Sequence, residues 1–185
     1  VQTPTKAIDP FVFFDTDGKA YLYHVRVDGG NRICVAEMNP DLLSVKSETV
    51  KECIQADQPW ENTARSATPI AEGPTVVKVG KLYYMFYSAN DFRSKDYAVG
   101  VATAPSPLGP WTKQPEPLIS TRNTGLPGTG HGDLFKDKEG RWQYVFHAHY
   151  SDTQVLPRRT AIVQLRLKGT RFELVPGTMH FVTRE

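Results

Sequence analysis

A hairpin that recurs three times constrains this chain more than anything else in its sequence. The first copy runs Ile8-Asp9-Pro10, a strand to Phe14, the turn Asp15-Thr16-Asp17-Gly18, then Lys19 and the strand Ala20 to His24. The second runs Glu72-Gly73-Pro74, a strand to Val79, Gly80, then Lys81 and the strand Leu82 to Phe86. The third runs Gly130-His131-Gly132, a strand to Lys136, a turn through Gly140, then Arg141 and the strand Trp142 to Phe146. The turn glycines stand 62 and 60 positions apart. A repeat of this length is the mark of stacked units, each unable to bury both its faces alone.

Further strands are expected after each hairpin, at Arg32 to Glu37, Tyr97 to Thr103 and Thr160 to Leu167, all rich in β-branched residues. Four strands in about sixty residues is a propeller blade. The fold expected is therefore all-β, with repeats at roughly 8–65, 70–125 and 127–185. A β-sandwich with coincidental hairpins is the alternative. Helical periodicity is absent apart from one possible turn between Asp41 and Ser47.

The phase of the repeat points to chemistry. Asp9, Glu72 and His131 lie nine, eight and nine positions before their turn glycines, each beside Pro or Gly. The first strand of a propeller blade lines the central axis. Three ionisable groups would then converge at one end of the channel, as a catalytic constellation requires.

Composition sets the outer limits. A formal charge of +2, from 22 basic and 20 acidic residues, gives no basis for nucleic-acid or membrane-surface binding. No apolar run approaches the roughly 20 residues of a membrane helix, and the first six residues contain no apolar signal region. Cys34 and Cys53 are too few for a disulfide framework; they either pair across neighbouring strands or stay free.

At the residues named above the sequence resembles glycoside hydrolase family 43. The resemblance rests on Ile8-Asp9-Pro10 before an Asp-Gly-Lys turn, and on Glu72-Gly73-Pro74 before Gly80-Lys81-Leu82-Tyr83-Tyr84. It continues through Tyr87-Ser88, Tyr97-Ala98-Val99-Gly100, the turn from Ser106 to Trp111, and Gly130-His131, covering about residues 7–167. It implies three four-stranded blades of a five-bladed propeller that hydrolyses arabinofuranosyl or xylosyl linkages with inversion. Glu72 would be the general acid and Asp9 would orient it and raise its pKa by like-charge repulsion. His131 would help hold a metal, usually calcium, through water. The general base, a second carboxylate roughly 6.5–9.5 Å from the acid, would belong to blades upstream of Val1. Asp133 and Asp57 have the chemistry for that role but not the position.

These blades alone would then be inactive, and the alternative function is a non-catalytic carbohydrate-binding or assembly module. An N-terminal fragment or a second copy would complete the ring. The substrate class implies a secreted or periplasmic protein. Trp60, Phe92 and Arg159 are the candidate sugar contacts, with Arg93 and Arg158 beside them. His24, His147 and His149 read as structural, Trp111 and Trp142 as core, and Asp15, Asp17, Asp137 and Glu139 as turn formers.

Overall fold

The computed structural model describes residues 6–183. The N-terminal residues 1–5, most of the stretch read for a signal segment, and residues 184–185 lie outside the described residues. The chain is three blades of a β-propeller, each an antiparallel sheet with its strands in sequence order. The first blade is β1 (Lys6–Phe14), β2 (Ala20–Val27), β3 (Asn31–Glu37) and β4 (Lys51–Gln55). The second is β5 (Ala71–Val79), β6 (Leu82–Ala89), β7 (Ala98–Ala104) and β8 (Thr112–Lys113). The third is β9 (Gly130–Lys136), β10 (Trp142–Ala148), β11 (Arg159–Lys168) and β12 (Arg171–Leu174), with a short β13 (His180–Phe181) also pairing to β11.

Burial along the strands explains the order of the blades. In β6 every residue after Leu82 is buried, because the second blade is covered on both faces. Met85 and Tyr87 join Tyr23, Val25, Ile33 and Val35 in the core against the first blade. Tyr84 and Phe86, one step along, join Tyr144, Phe146, Val163 and Leu165 in the core against the third. Strands β10 and β11 alternate buried with partly open positions, as a sheet covered on one face must. Trp111 and Trp142 pack against these two cores, as their sequence context suggested.

The helical turn expected between Asp41 and Ser47 is not there. Leu42 adopts a left-handed conformation, and the short 3-10 helix falls at Ser47–Thr49. Cys34 and Cys53 are free. Cys53 occupies the bulged position between the Ile33–Ile54 and Cys34–Glu52 pairs and packs into the inter-blade core, where burial raises its thiol pKa. No helix among the described residues is long and apolar enough to cross a membrane.

Candidate active site

The three strand starts do converge, with a shift of one residue in the middle blade. Each first strand carries a bulge in which three steps oppose two on its partner. Ile8 to Phe11 faces Val25 to Tyr23, Glu72 to Thr75 faces Ser88 to Phe86, and Gly130 to Asp133 faces His147 to Val145. Asp9, Gly73 and His131 are the positive-φ residues of these bulges, at 51°, 59° and 47°. Glu72 is therefore equivalent to Ile8 and Gly130, one place before Asp9 and His131. The turn glycine was an uneven ruler: β5 and β6 are joined by Gly80-Lys81 alone, whereas the other two hairpins have longer turns.

Two of these bulge residues, Asp9 and His131, hold a left-handed backbone that costs a side-chain-bearing residue of order 1–3 kcal/mol, and such strain concentrates at functional sites. The three bulges touch at Gly73. Its N–H donates to Asp9 Oδ2 at 3.1 Å, and a β-carbon there would sit 3.2 Å from His131 Nδ1. The His131 N–H donates to Ser88 Oγ at 2.8 Å, while Thr75 Oγ1 donates to the Gly132 carbonyl at 3.2 Å. Asp9, Glu72 and His131 thus form one group contributed by three blades.

Glu72 is the centre of that group. Tyr97 Oη donates to its Oε1 at 2.8 Å, and Asn31 Nδ2 donates to its Oε2 at 2.8 Å. Burial lifts the Glu72 carboxyl above the usual carboxylate range and the Asp9 charge adds to the lift; the two hydrogen bonds and nearby His131 act against it. The outcome is a carboxyl displaced toward its protonated form in a partly buried position.

From Tyr97 a line of side chains runs to the rim. The His147 imidazole stacks on Tyr97, with ring centres 5.6 Å apart and planes at 14°. Burial, followed by the charge of Arg158, pushes the His147 pKa down to about 3, so this ring is neutral at physiological pH. Arg158 approaches His147 Nε2 at 3.1 Å and lies over the exposed Phe92 ring at 5.2 Å. The Phe92 carbonyl in turn meets His149 Nε2 at 2.8 Å. His131, Asp133, His147 and Thr160 line an open hollow of about 350 Å³ beside this line.

The other expected contacts lie elsewhere. Arg159 is corrected by its neighbour: successive residues of an extended chain point opposite ways, and the Arg159 guanidinium sits over Phe181, 3.3 Å from the ring centre, while Arg158 turns to the site. Trp60 is half-buried in the core between the first two blades, its ring 6.1 Å from Tyr87 and its Nε1 donating to Gln58. Arg93 pairs with Asp91. Asp57 pairs with Lys113. His147, read from sequence as structural, belongs to the site. Asn31, Ser88 and Tyr97 carried no catalytic signal of their own in the sequence. A polar residue directly after Gly29-Gly30 was the one available hint for Asn31.

The implied calcium ion finds no direct ligand set. Among the described residues no three of His, Cys, Asp and Glu cluster closely enough to hold a metal. A lone imidazole is a poor ligand for a hard cation that takes six to eight oxygens.

Three propeller blades whose strained strand starts meet around a hydrogen-bonded carboxyl with a raised pKa fit the scaffold of a carbohydrate hydrolase. The chain belongs to glycosyl hydrolases family 43, whose sequence profile matches residues 1–170. It is 25% identical over 173 residues to a beta-D-galactofuranosidase of Aspergillus niger, covering 92% of this chain and 46% of that protein. It is 30% identical over 154 residues to a xylosidase/arabinosidase of Butyrivibrio fibrisolvens, covering 76% and 28%. Among solved structures it superposes on an endo-1,4-beta-xylanase of Bacteroides thetaiotaomicron with a TM-score of 0.86 and 42% identity, over 96% of this chain and 60% of that one. A thermostable family-43 glycoside hydrolase gives 0.87 and 33% over the same shares. The chain thus spans less than half the length of these curated relatives.

Proposed function

We propose that this chain carries the general-acid side of an inverting glycosidase acting on arabinofuranosyl or xylosyl linkages. The observation behind it is the Glu72 carboxyl, lifted by burial and by Asp9 and held by two neutral donors. Glu72 would deliver its proton to the glycosidic oxygen as that bond breaks. Asp9 plays two parts: its charge discourages ionisation of Glu72, and its hydrogen bond to the Gly73 N–H fixes the backbone beside the acid. Arg158 and Phe92, at the rim, would bind the sugar as donor and apolar face.

An inverting reaction needs a base on the opposite side of the sugar. We assign it to polypeptide that completes the ring, either more of the same protein or a second copy. Calcium would meet His131 only through water. Plant polysaccharides or oligosaccharides as substrates would suit a secreted or periplasmic protein.

The test compares leaving groups in the complete enzyme. Glu72→Gln should lower the rate on an alkyl arabinofuranoside or xyloside by roughly 10²–10⁴-fold. On a dinitrophenyl glycoside, whose leaving group needs no proton, the loss should be far smaller. Equal losses on both substrates, or none on either, would remove Glu72 as the acid.

A non-catalytic sugar-binding module is the second reading, favoured by one observation: the converging group holds two carboxylates, Asp9 and Glu72, whose interactions serve one acid. Binding of arabino- or xylo-oligosaccharides with no sugar release by the complete protein would support it.

A further inference from the structure

The acid is gripped from two blades at once. The β2–β3 turn of the first blade docks on the start of the second: Asn31 N–H donates to the Pro69 carbonyl at 2.8 Å, and Asn31 forms a parallel bridge with Ile70. Gly30 permits this approach, since a β-carbon there would lie 2.5 Å from the Pro69 oxygen and its φ is +132°. That docking delivers the Asn31 amide to Glu72 Oε2.

The other oxygen is held through a relay. The His131 N–H donates to Ser88 Oγ, the Ser88 hydroxyl faces the Tyr97 hydroxyl, and Tyr97 donates to Glu72 Oε1. Tyr97 is fully buried, with burial holding its phenol firmly protonated, and it fits because residue 130 is glycine: a β-carbon there would meet the ring at 2.3 Å.

We propose that Asn31 and Tyr97 are positioning residues that fix the orientation and proton affinity of Glu72, with the β2–β3 turn acting as the arm by which one blade sets the acid of the next. The inference rests on the reading of Glu72 as the acid. The two holders differ in kind. The Asn31 Nδ2 group, which faces Oε2, can only donate, so in this orientation Oε2 is kept as an acceptor in both protonation states. The Tyr97 hydroxyl can donate or accept. When Glu72 is protonated on Oε1, Tyr97 can turn its own hydrogen toward Ser88 and receive. The proton is thereby steered to one of the two oxygens.

The test reads the carboxyl directly, without turnover. Carbon-13 NMR of glutamate-labelled protein, with the Glu72 signal assigned through Glu72→Gln, follows its titration in the unmodified chain, in Tyr97→Phe and in Asn31→Ala. Each variant deletes a hydrogen bond to the charged form, so the Glu72 midpoint should move upward in both. Gly30→Ala touches neither partner and should give the same direction of shift as Asn31→Ala by lifting the turn off Pro69. Circular dichroism in the near ultraviolet checks that each variant keeps its packing. The alanine variant of the turn carries the test should the buried phenylalanine variant fail to fold. An unmoved Glu72 midpoint in folded Tyr97→Phe and Asn31→Ala would overturn the assignment. Because the readout needs no hydrolysis, an inactive but correctly titrating protein would sink the glycosidase reading and leave the positioning roles standing.

Discussion

At the scale of single residues, two glutamates of the molecule, Glu72 and Glu61, are of opposite character. Glu72 is partly open and held by neutral donors, which suits a group that must gain and lose a proton. Glu61 is fully buried and its carboxylate is saturated by the Asp57 and Gln58 N–H groups, the Tyr87 hydroxyl and Lys113 Nζ. That arrangement pins the loop before β5 and is structural. Glu61→Ala would leave the Lys113 ammonium, 9% exposed, with Asp57 as its remaining charged partner. Removing one member of a buried pair costs several kcal/mol because the other charge stays desolvated. A loss of about 3 kcal/mol is expected, at the low end of that range since Asp57 remains. It should appear as a lower denaturant midpoint with an unchanged slope. In the sequence Trp60 stands out as a candidate sugar contact and its neighbour Glu61 does not; a buried carboxylate is invisible until its partners are placed.

Among the elements, the hairpins of the first two blades are tied at the end remote from Glu72. Asp15, in the β1–β2 turn, accepts from Lys78 Nζ at 2.7 Å and from the Tyr83 hydroxyl. Lys78 lies six residues beyond Glu72 on β5, roughly 20 Å away at strand spacing. Burial alone would raise the Asp15 carboxyl, but the bonds from Lys78 and Tyr83 bring its pKa down to about 2. Its folded value is depressed below the unfolded value near 3.9. Its contribution to stability is therefore complete above about pH 4 and is lost as pH falls through about 2. Asp15→Asn should flatten the acid side of the stability curve between those values. An unchanged profile in urea titrations at pH 2, 3, 4 and 7 would contradict this. Asp15 was legible as a turn former. That its carboxylate also reaches the second blade was not, because the partner lies 63 residues away in sequence.

At the scale of the whole molecule, the repeat made the architecture readable. Its period located the three sheets, and the near-continuous apolar run of β6 against the alternation of β10 and β11 reflects which blade lies between the others. Asp9, Glu72 and His131 were legible because bulged strand starts need Pro, Gly or a strained residue, and those leave a pattern. The single-residue offset at Glu72 was not, since it depends on hairpin turn lengths that the glycine spacing conceals. Arg158 could not be told from Arg159 without the phase of the strand that follows. Asn31 and Tyr97 owe their roles to contacts between and within blades, which no local pattern records.

One consequence follows from the grip on Glu72 by residues of two neighbouring blades. A slight hinge-like opening between those blades would leave each sheet whole and the core against the third blade packed, loosening only the core the first two share, yet would pull the amide of Asn31 off the carboxyl. With Glu72 as the proposed acid, its positioning is thus more fragile than the fold that carries it. On gentle heating or in dilute urea, the complete enzyme should lose its rate while its circular dichroism is still that of the native state, and should recover on cooling or dilution. Coincident loss of both signals would mean that the blades part only when the whole molecule melts.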